Sequence, residues 1–390
     1  MDMVSFLKKG MSLKKILFVT KDFLPAIGGG IRRIEALYKA FLVNKGLTLE
    51  VVTAESRAQG RYKDVQYISQ LLFKDKISSG GGLSRLNNKV KIKFFDKALI
   101  GWLPNVIFRI FYKKYDLVYC TVPTFTNLLI GFLYKLVRMN KPKLIVEYRD
   151  MYSFNPEYKD GFSKKFLQII EKLILRNCDY IVVTTQGMKN VFSAFIEDNK
   201  IWMMRNYVSK DDLNIIKKLD RDEYDKRYFH IGYVGTLNTG RHPEVFLGML
   251  RLKVKNKESV LHFVGITEAQ KKGVLEIMEN RGLDNTKVIF HGKVSRLIAL
   301  KYMKSLDALF LIINKKALIK DGYGIPGKLY DYIQANNNLF ADSVTFDNLS
   351  SEFNLEIIEQ YDDYINFSLN DSTLLNDKLE MFIDKLVKEL

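Results

Sequence analysis

The parts of this 390-residue chain able to do chemistry are a glycine-rich loop, a strand-end carboxylate and four imidazoles. Pro25-Ala-Ile-Gly-Gly-Gly30 stands between a short apolar run, Lys15–Thr20, and an amphipathic stretch. Glycines at such a point let an anion approach backbone N–H groups at the positive end of a helix dipole. The loop lacks GxGxxG, so it does not predict dinucleotide binding, and a plain strand-to-helix turn is the competing reading. Asp150, beside Arg149 at a predicted strand end, is the acidic candidate for contacting an acceptor or a transferred sugar, with a loop ion pair to Arg149 as the alternative. His230, His242, His262 and His291 all fall in the second half of the chain. His262 and His291 lie in apolar strands and read as core or base-proximal residues rather than catalytic ones. Their spacing makes no zinc site, and no loop carries the paired aspartates that would hold Mg²⁺. Neither a metal nor another cofactor is expected.

These groups must be placed by an alternation of strands and helices. Lys15–Thr20, a helix carrying Ile34, Leu37, Tyr38, Phe41 and Leu42, and the strand Thr48–Thr53 form a βαβ unit, so a parallel sheet is expected. The rhythm continues through Asp116–Cys120, Thr126–Val137, Lys143–Tyr148, Ser163–Asn177 and Tyr180–Thr184. A second cycle starts at Phe229–Gly235 and runs through Pro243–Leu252, Val260–Val264, Glu268–Arg281, Val288–His291, Lys301–Ser305, Ala308–Ile313 and Lys328–Gln334. The charged stretch Tyr207–Arg227 separates the two. The reading is thus α/β, with two Rossmann-like parallel-sheet domains facing a cleft, residues 12–207 and 208–370. A C-terminal helix within 371–390 is expected to pack back on the first. Ser78–Asn88 reads as a mobile glycine-rich loop. Ligands of open α/β sheets bind beyond the carboxyl ends of the strands, which makes the loops after strands the place to look.

Four segments, taken in order, resemble the signatures of family-four GT-B glycosyltransferases, the bacterial polysaccharide and lipid-linked-oligosaccharide enzymes among them. Phe23-Leu-Pro-Ala-Ile-Gly-Gly-Gly30 is similar to FxPxxGG, and Glu147-Tyr-Arg-Asp-Met-Tyr152 to the DxRDxW strand end. Val234-Gly-Thr-Leu-Asn-Thr-Gly-Arg241 resembles the VGxLxxxR/K loop, and Ile325-Pro-Gly-Lys-Leu-Tyr-Asp-Tyr-Ile333 the PxKL(F/Y)EYL helix. The resemblance implies that Arg241 and Lys328 contact the donor diphosphate and, with Asp150, form the catalytic set. It implies a donor-binding set of Gly28, Gly29, Gly30, Gly235, Thr236, Arg241, Gly265, Val294, Pro326, Gly327, Lys328, Leu329 and Asp331, the last gripping ribose hydroxyls. Arg149, Asp150 and Arg109 fall on the acceptor side. Asp331 stands where the family usually has glutamate, Tyr323 replaces the earlier glutamate of the E-x7-E pair, and Asn336 replaces a glycine.

The implied activity is transfer of a sugar, with retention, from a nucleoside-diphosphate sugar to a glycan or lipid-linked acceptor in cell-surface polysaccharide or glycoconjugate synthesis. Placed cations and helix N-terminal amides would steady the leaving phosphate without a metal. A UDP-sugar epimerase of the same architecture would need first-domain histidines, which are absent; a catalytically inactive membrane-docking module is the third reading. Lys plus Arg exceed Asp plus Glu by 61 to 44, a formal +17, which favours anionic partners. No nucleic-acid-binding pattern accompanies that charge. Leu99–Tyr115, with Trp102, Phe108, Arg109, Lys113 and Lys114, reads as an interfacial segment for anionic lipid or as a core helix with a basic edge, Pro104 weakening its continuity. No apolar run reaches the roughly 20 residues of a spanning helix, and Cys120 and Cys178 form no disulfide framework. The expected location is cytoplasmic, including the inner face of the cytoplasmic membrane.

Overall fold

A computed structural model describes residues 13–26, 29–44, 46–69, 102–155, 160–206, 208, 210–237, 242–283, 285–313, 325–369 and 377–389. The chain divides into two compact units, Met1–Arg205 with Asp377–Leu390, and Asn206–Asn376.

The first unit is built on β1 (Lys14–Val19), α1 (Gly29–Val43), β2 (Leu47–Thr53), β3 (Val65–Tyr67), α2 (Leu103–Ile110), β4 (Leu117–Val122), α3 (Phe125–Val137), β5 (Lys143–Tyr148), α4 (Phe162–Arg176), β6 (Tyr180–Val183), α5 (Gln186–Ser193) and β7 (Ile201–Met203). Its strands lie in the order β3-β2-β1-β4-β5-β6-β7, every pair parallel. All six residues of β4 are buried, which is why Leu117-Val-Tyr-Cys-Thr-Val122 reads as a continuous apolar run with no alternation. The order reverses between β1 and β4, and the loops leaving these strands lie at the carboxyl edge, where open α/β sheets bind ligands. Gly131 lets α3 approach the sheet closely, since a Cβ there would stand 2.5 Å from Cys120 Sγ and 2.7 Å from Leu144 Cδ1.

The second unit contains α6 (Lys210–Lys218), β8 (Phe229–Val234), α7 (Pro243–Leu247), β9 (Lys253–Val254), β10 (Lys257–Val264), α8 (Glu268–Asn280), β11 (Val288–Phe290), α9 (Arg296–Ser305), β12 (Ala308–Phe310), α10 (Lys328–Ala335), β13 (Leu339–Asp342), α11 (Ser343–Ser350), β14 (Leu355–Gln360) and β15 (Tyr364–Leu369). The sheet runs β11-β10-β8-β12-β13-β15-β14, with the short β9 on β10. β11 to β13 pair in parallel, with the order reversing between β8 and β12. Alternate residues serve two cores. Val234, Leu309 and Leu339 join one, and Tyr233, Phe310 and Phe340 join the other, as the two-residue period of a strand requires. The purely parallel sheet expected for this half is corrected: β15 and β14 add an antiparallel hairpin to its edge. The helix expected over Pro243–Leu252 ends at Leu247 and tightens into a 3₁₀ turn over Gly248–Arg251.

The final helix, α12 (Asp377–Glu389), belongs to the first unit, where it packs on α1 and sets the Phe382 ring edge-on to Tyr119 and Trp202. Expectations for Leu99–Tyr115 change in three ways. Trp102 is fully buried, Lys113 Nζ pairs with Glu50 Oε1 at 2.5 Å, and Pro104 lies in the first turn of α2, where it lacks no helical hydrogen bond. Phe108 and Arg109 are exposed as expected. Ser78–Asn88 lies outside the described residues.

Candidate functional site

At the carboxyl edge of the first sheet, the Arg149 amide donates to Val122 O at 3.2 Å, so the turn bearing Arg149 and Asp150 leaves β5 level with the end of β4. Arg149 Nη1 donates to Gly30 O at 2.7 Å, where a Cβ on Gly30 would stand 2.5 Å from that nitrogen. Glycine at 30 is needed for this close approach. Asp150 is exposed. Beneath them lies a pair that sequence reading did not single out. The Arg33 guanidinium, 4% exposed, donates through Nε to Glu147 Oε1 and through its two terminal nitrogens to the carbonyls of Arg205 and Met204, each at 2.9 Å. Glu147 is fully buried, and its Oε2 has no hydrogen-bond partner among the described residues. Glu171 of α4, also fully buried, accepts the Tyr148 hydroxyl at 2.6 Å and the Ser153 amide at 2.9 Å, which fixes both ends of the Arg149–Asp150 turn. Gly29 and Gly30 open α1, while Gly28 lies outside the described residues.

The second unit places its candidates around the ends of β8 and β10. Gly235 has φ +134° and Gly265 φ +93°, conformations that side chains rarely adopt. The two are in near contact, a Cβ on Gly265 falling 3.4 Å from Gly235 Cα. Gly265 N–H donates to Gly292 O and Gly235 N–H to Val264 O, both at 2.7 Å. Lys328, the first residue of α10, lays its ammonium 3.7 Å from the centre of the Tyr233 ring and 3.0 Å from where a Gly235 Cβ would be. A desolvated cation over an aromatic face is held firmly. The Tyr332 hydroxyl donates to Val234 O at 2.9 Å and accepts the Val234 amide at 2.7 Å, tying α10 to the last peptide of β8. Thr236 is exposed and its carbonyl accepts the Tyr233 hydroxyl at 2.7 Å. Pro326 O accepts the Leu329 amide at 2.9 Å, Gly327 precedes the helix, and Leu329 and the half-buried Val294 pack into the core rather than outward. Arg241 and Tyr323 lie outside the described residues.

Asp331 is buried, and both its oxygens accept from Arg296, at 2.7 and 3.0 Å. The same guanidinium reaches Asp212 Oδ2 at 2.9 Å, so Arg296 joins α9, α10 and α6. This arginine was missed because its partners lie 35 and 84 residues away.

Three of the four histidines form a row. His230 Nε2 lies 3.1 Å from Asp225 O, His230 Nδ1 2.9 Å from His262 Nε2, His262 Nδ1 2.9 Å from His291 Nε2, and His291 Nδ1 2.8 Å from the Tyr302 hydroxyl. A carbonyl only accepts, so with neutral rings each Nε2–H donates towards Asp225 and the tyrosine hydroxyl donates to His291. Burial, then the neighbouring imidazoles His291 and His230, bring His262 down to about 3; burial also lowers His291. His262 is buried within the sheet and His291 half-buried at its carboxyl end.

No protein-family model matches the chain. An uncharacterized glycosyltransferase of Methanocaldococcus jannaschii is 24% identical over 218 residues, 52% of each protein, so the chain spans about half the length of the curated relative it matches. Sucrose-phosphate synthase from Thermosynechococcus elongatus has a similar structure, with TM-score 0.57 at 12% identity, covering 85% of this chain and 81% of that one. The lipopolysaccharide outer core galactosyltransferase WaaB in its apo form gives 0.55 at 16%, covering 83% and 79%. Anabaena HepE in complex with UDP gives 0.54 at 15%, also covering 83% and 79%. The chain has the α/β fold of the GT-B glycosyltransferases.

Proposed function

We propose that the protein is a glycosyltransferase using a nucleoside-diphosphate sugar, with UDP the first candidate, and acting with retention on a glycan or lipid-linked acceptor at an anionic membrane surface. The product would enter cell-surface polysaccharide or glycoconjugate synthesis. The observation that carries this reading is the Lys328 ammonium, set on Tyr233 beside the Gly235–Gly265 contact, where bare backbone and a fixed cation meet at strand ends. Such a place suits a diphosphate whose charge grows as it leaves. The solved HepE complexes, one with UDP and one with UDP-glucose, support the same donor class.

In the proposed reaction the bond from the sugar's anomeric carbon to the diphosphate oxygen breaks and a bond to the acceptor oxygen forms. The acceptor proton passes to the leaving diphosphate on the same face, so no strong protein base is required. Lys328 and Arg241 steady the departing charge, and Gly235, Thr236, Gly265, Pro326 and Gly327 give backbone access. Asp331 orients Arg296 as well as serving the ribose side. Arg149 and Asp150 serve the acceptor, whereas Arg109, in the last turn of α2 before the amino end of β4, stands at the opposite edge of the sheet and is left out of the set; no metal takes part.

Thermal-shift and calorimetric titration with UDP, GDP, ADP and CMP test the donor class, because a ligand of the native state raises its melting temperature. UDP should give the largest shift, and no shift with any of the four removes the reading. Asp331→Asn should lower nucleotide affinity roughly tenfold, since it weakens two charge-assisted hydrogen bonds. Unchanged affinity would confine Asp331 to holding α9 and α10 together.

A further inference from the structure

Three helices of the first unit carry an outward apolar surface that neither set of site residues uses. α4 buries Leu167, Ile174 and Leu175, as a surface helix should. It also exposes a second stripe at i, i+4, i+7 and i+11, Phe162, Phe166, Ile169 and Leu173, with exposures from 49% to 87%. α3 packs beside α4, and its end leaves Leu136, Val137 and the following Met139 open. α2 packs beside α3 and exposes Phe108, with Tyr112 exposed in the turn beyond its end. The joint between these last two is stitched: Arg138 Nη1 donates to Phe111 O at 2.9 Å, and the Tyr134 hydroxyl donates to Lys113 O at 2.6 Å. Exposed large side chains repeated on adjacent, fixed helices mark an interaction surface.

Where α3 and α4 end, this surface meets a basic concavity of about 680 Å³ at the amino ends of β5, β6 and β7, the edge opposite the glycine loop and Asp150. Lys135, Lys143, Arg176, Lys200 and Lys385 line it against a single carboxylate, Asp179. That carboxylate is already engaged by Lys135 Nζ and the Leu144 amide, each at 2.6 Å. Tyr180 and Trp202 stack with ring centres 4.0 Å apart, and Lys385 Nζ sits 4.4 Å over Trp202. The cations thus surround a rigid aromatic floor, and their excess is complementary to a phosphate group.

We propose that this face docks on a bilayer of anionic phospholipid, the α4 stripe and the ends of α2 and α3 entering the interface while the concavity receives a phosphate head group. Amphipathic surfaces bind anionic bilayers in this way, through apolar insertion joined to attraction by Lys and Arg. The inference gives a surface to the membrane contact of the transferase reading and rests on that reading only for why the chain should meet a bilayer.

Co-sedimentation of the full chain with phosphatidylcholine vesicles, and with vesicles also containing phosphatidylglycerol, at low and high salt, tests it. Partitioning should be at least tenfold stronger to the phosphatidylglycerol vesicles and fall with salt. Ile169→Asp/Leu173→Asp and Arg176→Glu/Lys200→Glu/Lys385→Glu should each lose tenfold or more, with thermal melts showing both folded. Equal binding to the two vesicle types, no binding, or wild-type binding by both variants overturns the proposal. So does calorimetric binding of pyrophosphate that the triple variant abolishes while its vesicle binding persists, since the concavity would then serve a soluble phosphate. UDP affinity measured on the same samples keeps the two ideas apart. Retained nucleotide binding with failed vesicle binding removes only the docking surface, whereas vesicle binding without affinity for UDP, GDP, ADP or CMP supports the surface and removes the transferase reading.

Discussion

In the first unit the turn after β5 is held by buried charge, with Arg33 against Glu147 and Glu171 against Ser153; in the second, the loops after β8 and β10 are held by backbone, through two positive-φ glycines in contact. Both lie at the carboxyl ends of strands, but on opposite sides of the reversal in strand order: β5 follows β4 beyond it, whereas β8 and β10 stand before it. The contrast teaches what each arrangement tolerates. A buried ion pair fails when one partner is removed, because the other charge is left without water or counter-charge. A glycine pair fails when a Cβ is added. The backbone solution leaves bare backbone and space for an anion beside the Lys328 ammonium, its two glycine N–H groups being spent on Val264 O and Gly292 O, while the charged one leaves Asp150 exposed.

The largest effect should come from Arg33→Met, which strands Glu147 and should cost about 3–5 kcal/mol in urea unfolding. Arg33→Met/Glu147→Leu should recover most of it, and a wild-type midpoint for the single variant would show that the pair does not hold the turn. Next, Lys328→Ala should lower kcat/KM on the order of 10²-fold, about 3 kcal/mol, with little change in melting temperature. Near-normal turnover would take Lys328 out of the proposed chemistry.

The two glycine loops can be set against each other directly. Gly235→Ala places a Cβ at φ +134° and against Lys328, and should cost about 1–3 kcal/mol together with nucleotide affinity. Gly30→Ala meets only the tip of the Arg149 guanidinium, which can swing, so its stability change should stay within about 1 kcal/mol. Equal costs in paired thermal melts would erase the contrast. Smallest near neutrality and growing in acid is the effect of pH on the imidazole row. His262 titrates at about 3 in the fold against an ordinary 6.5, so between those values the unfolded chain binds a proton that the fold refuses. Stability from this group is therefore complete above about 6.5 and lost as pH falls towards 3. Melting curves over that range should show it, and His262→Gln should flatten them.

Much of the scaffold was legible because buried parallel strands write continuous apolar runs and the loops between them write glycines. The hairpin β14–β15 was not, since Glu356 to Gln360 face solvent at a sheet edge and leave no alternation to read. Among site residues, Arg149, Asp150, Gly235 and Lys328 stood at strand or helix ends where sequence places them. Arg33 left a clue that went unused: it shares a helix face with the buried Leu37 and Phe41, and a cation on a buried stripe demands a partner. Arg296 and Glu171 left none, because their partners come from other elements.

The imidazole row has one more property, which is direction. Its polarity is set by a peptide carbonyl, Asp225 O, before β8 begins, and is handed from ring to ring to His291, immediately before the peptide whose carbonyl grips Gly265. Which nitrogen of His291 carries hydrogen is thus decided at the amino end of the sheet and expressed at the carboxyl end. Run backwards, the row would set a bare His230 nitrogen against that carbonyl and lose one hydrogen bond, so the carbonyl favours one direction of tautomers.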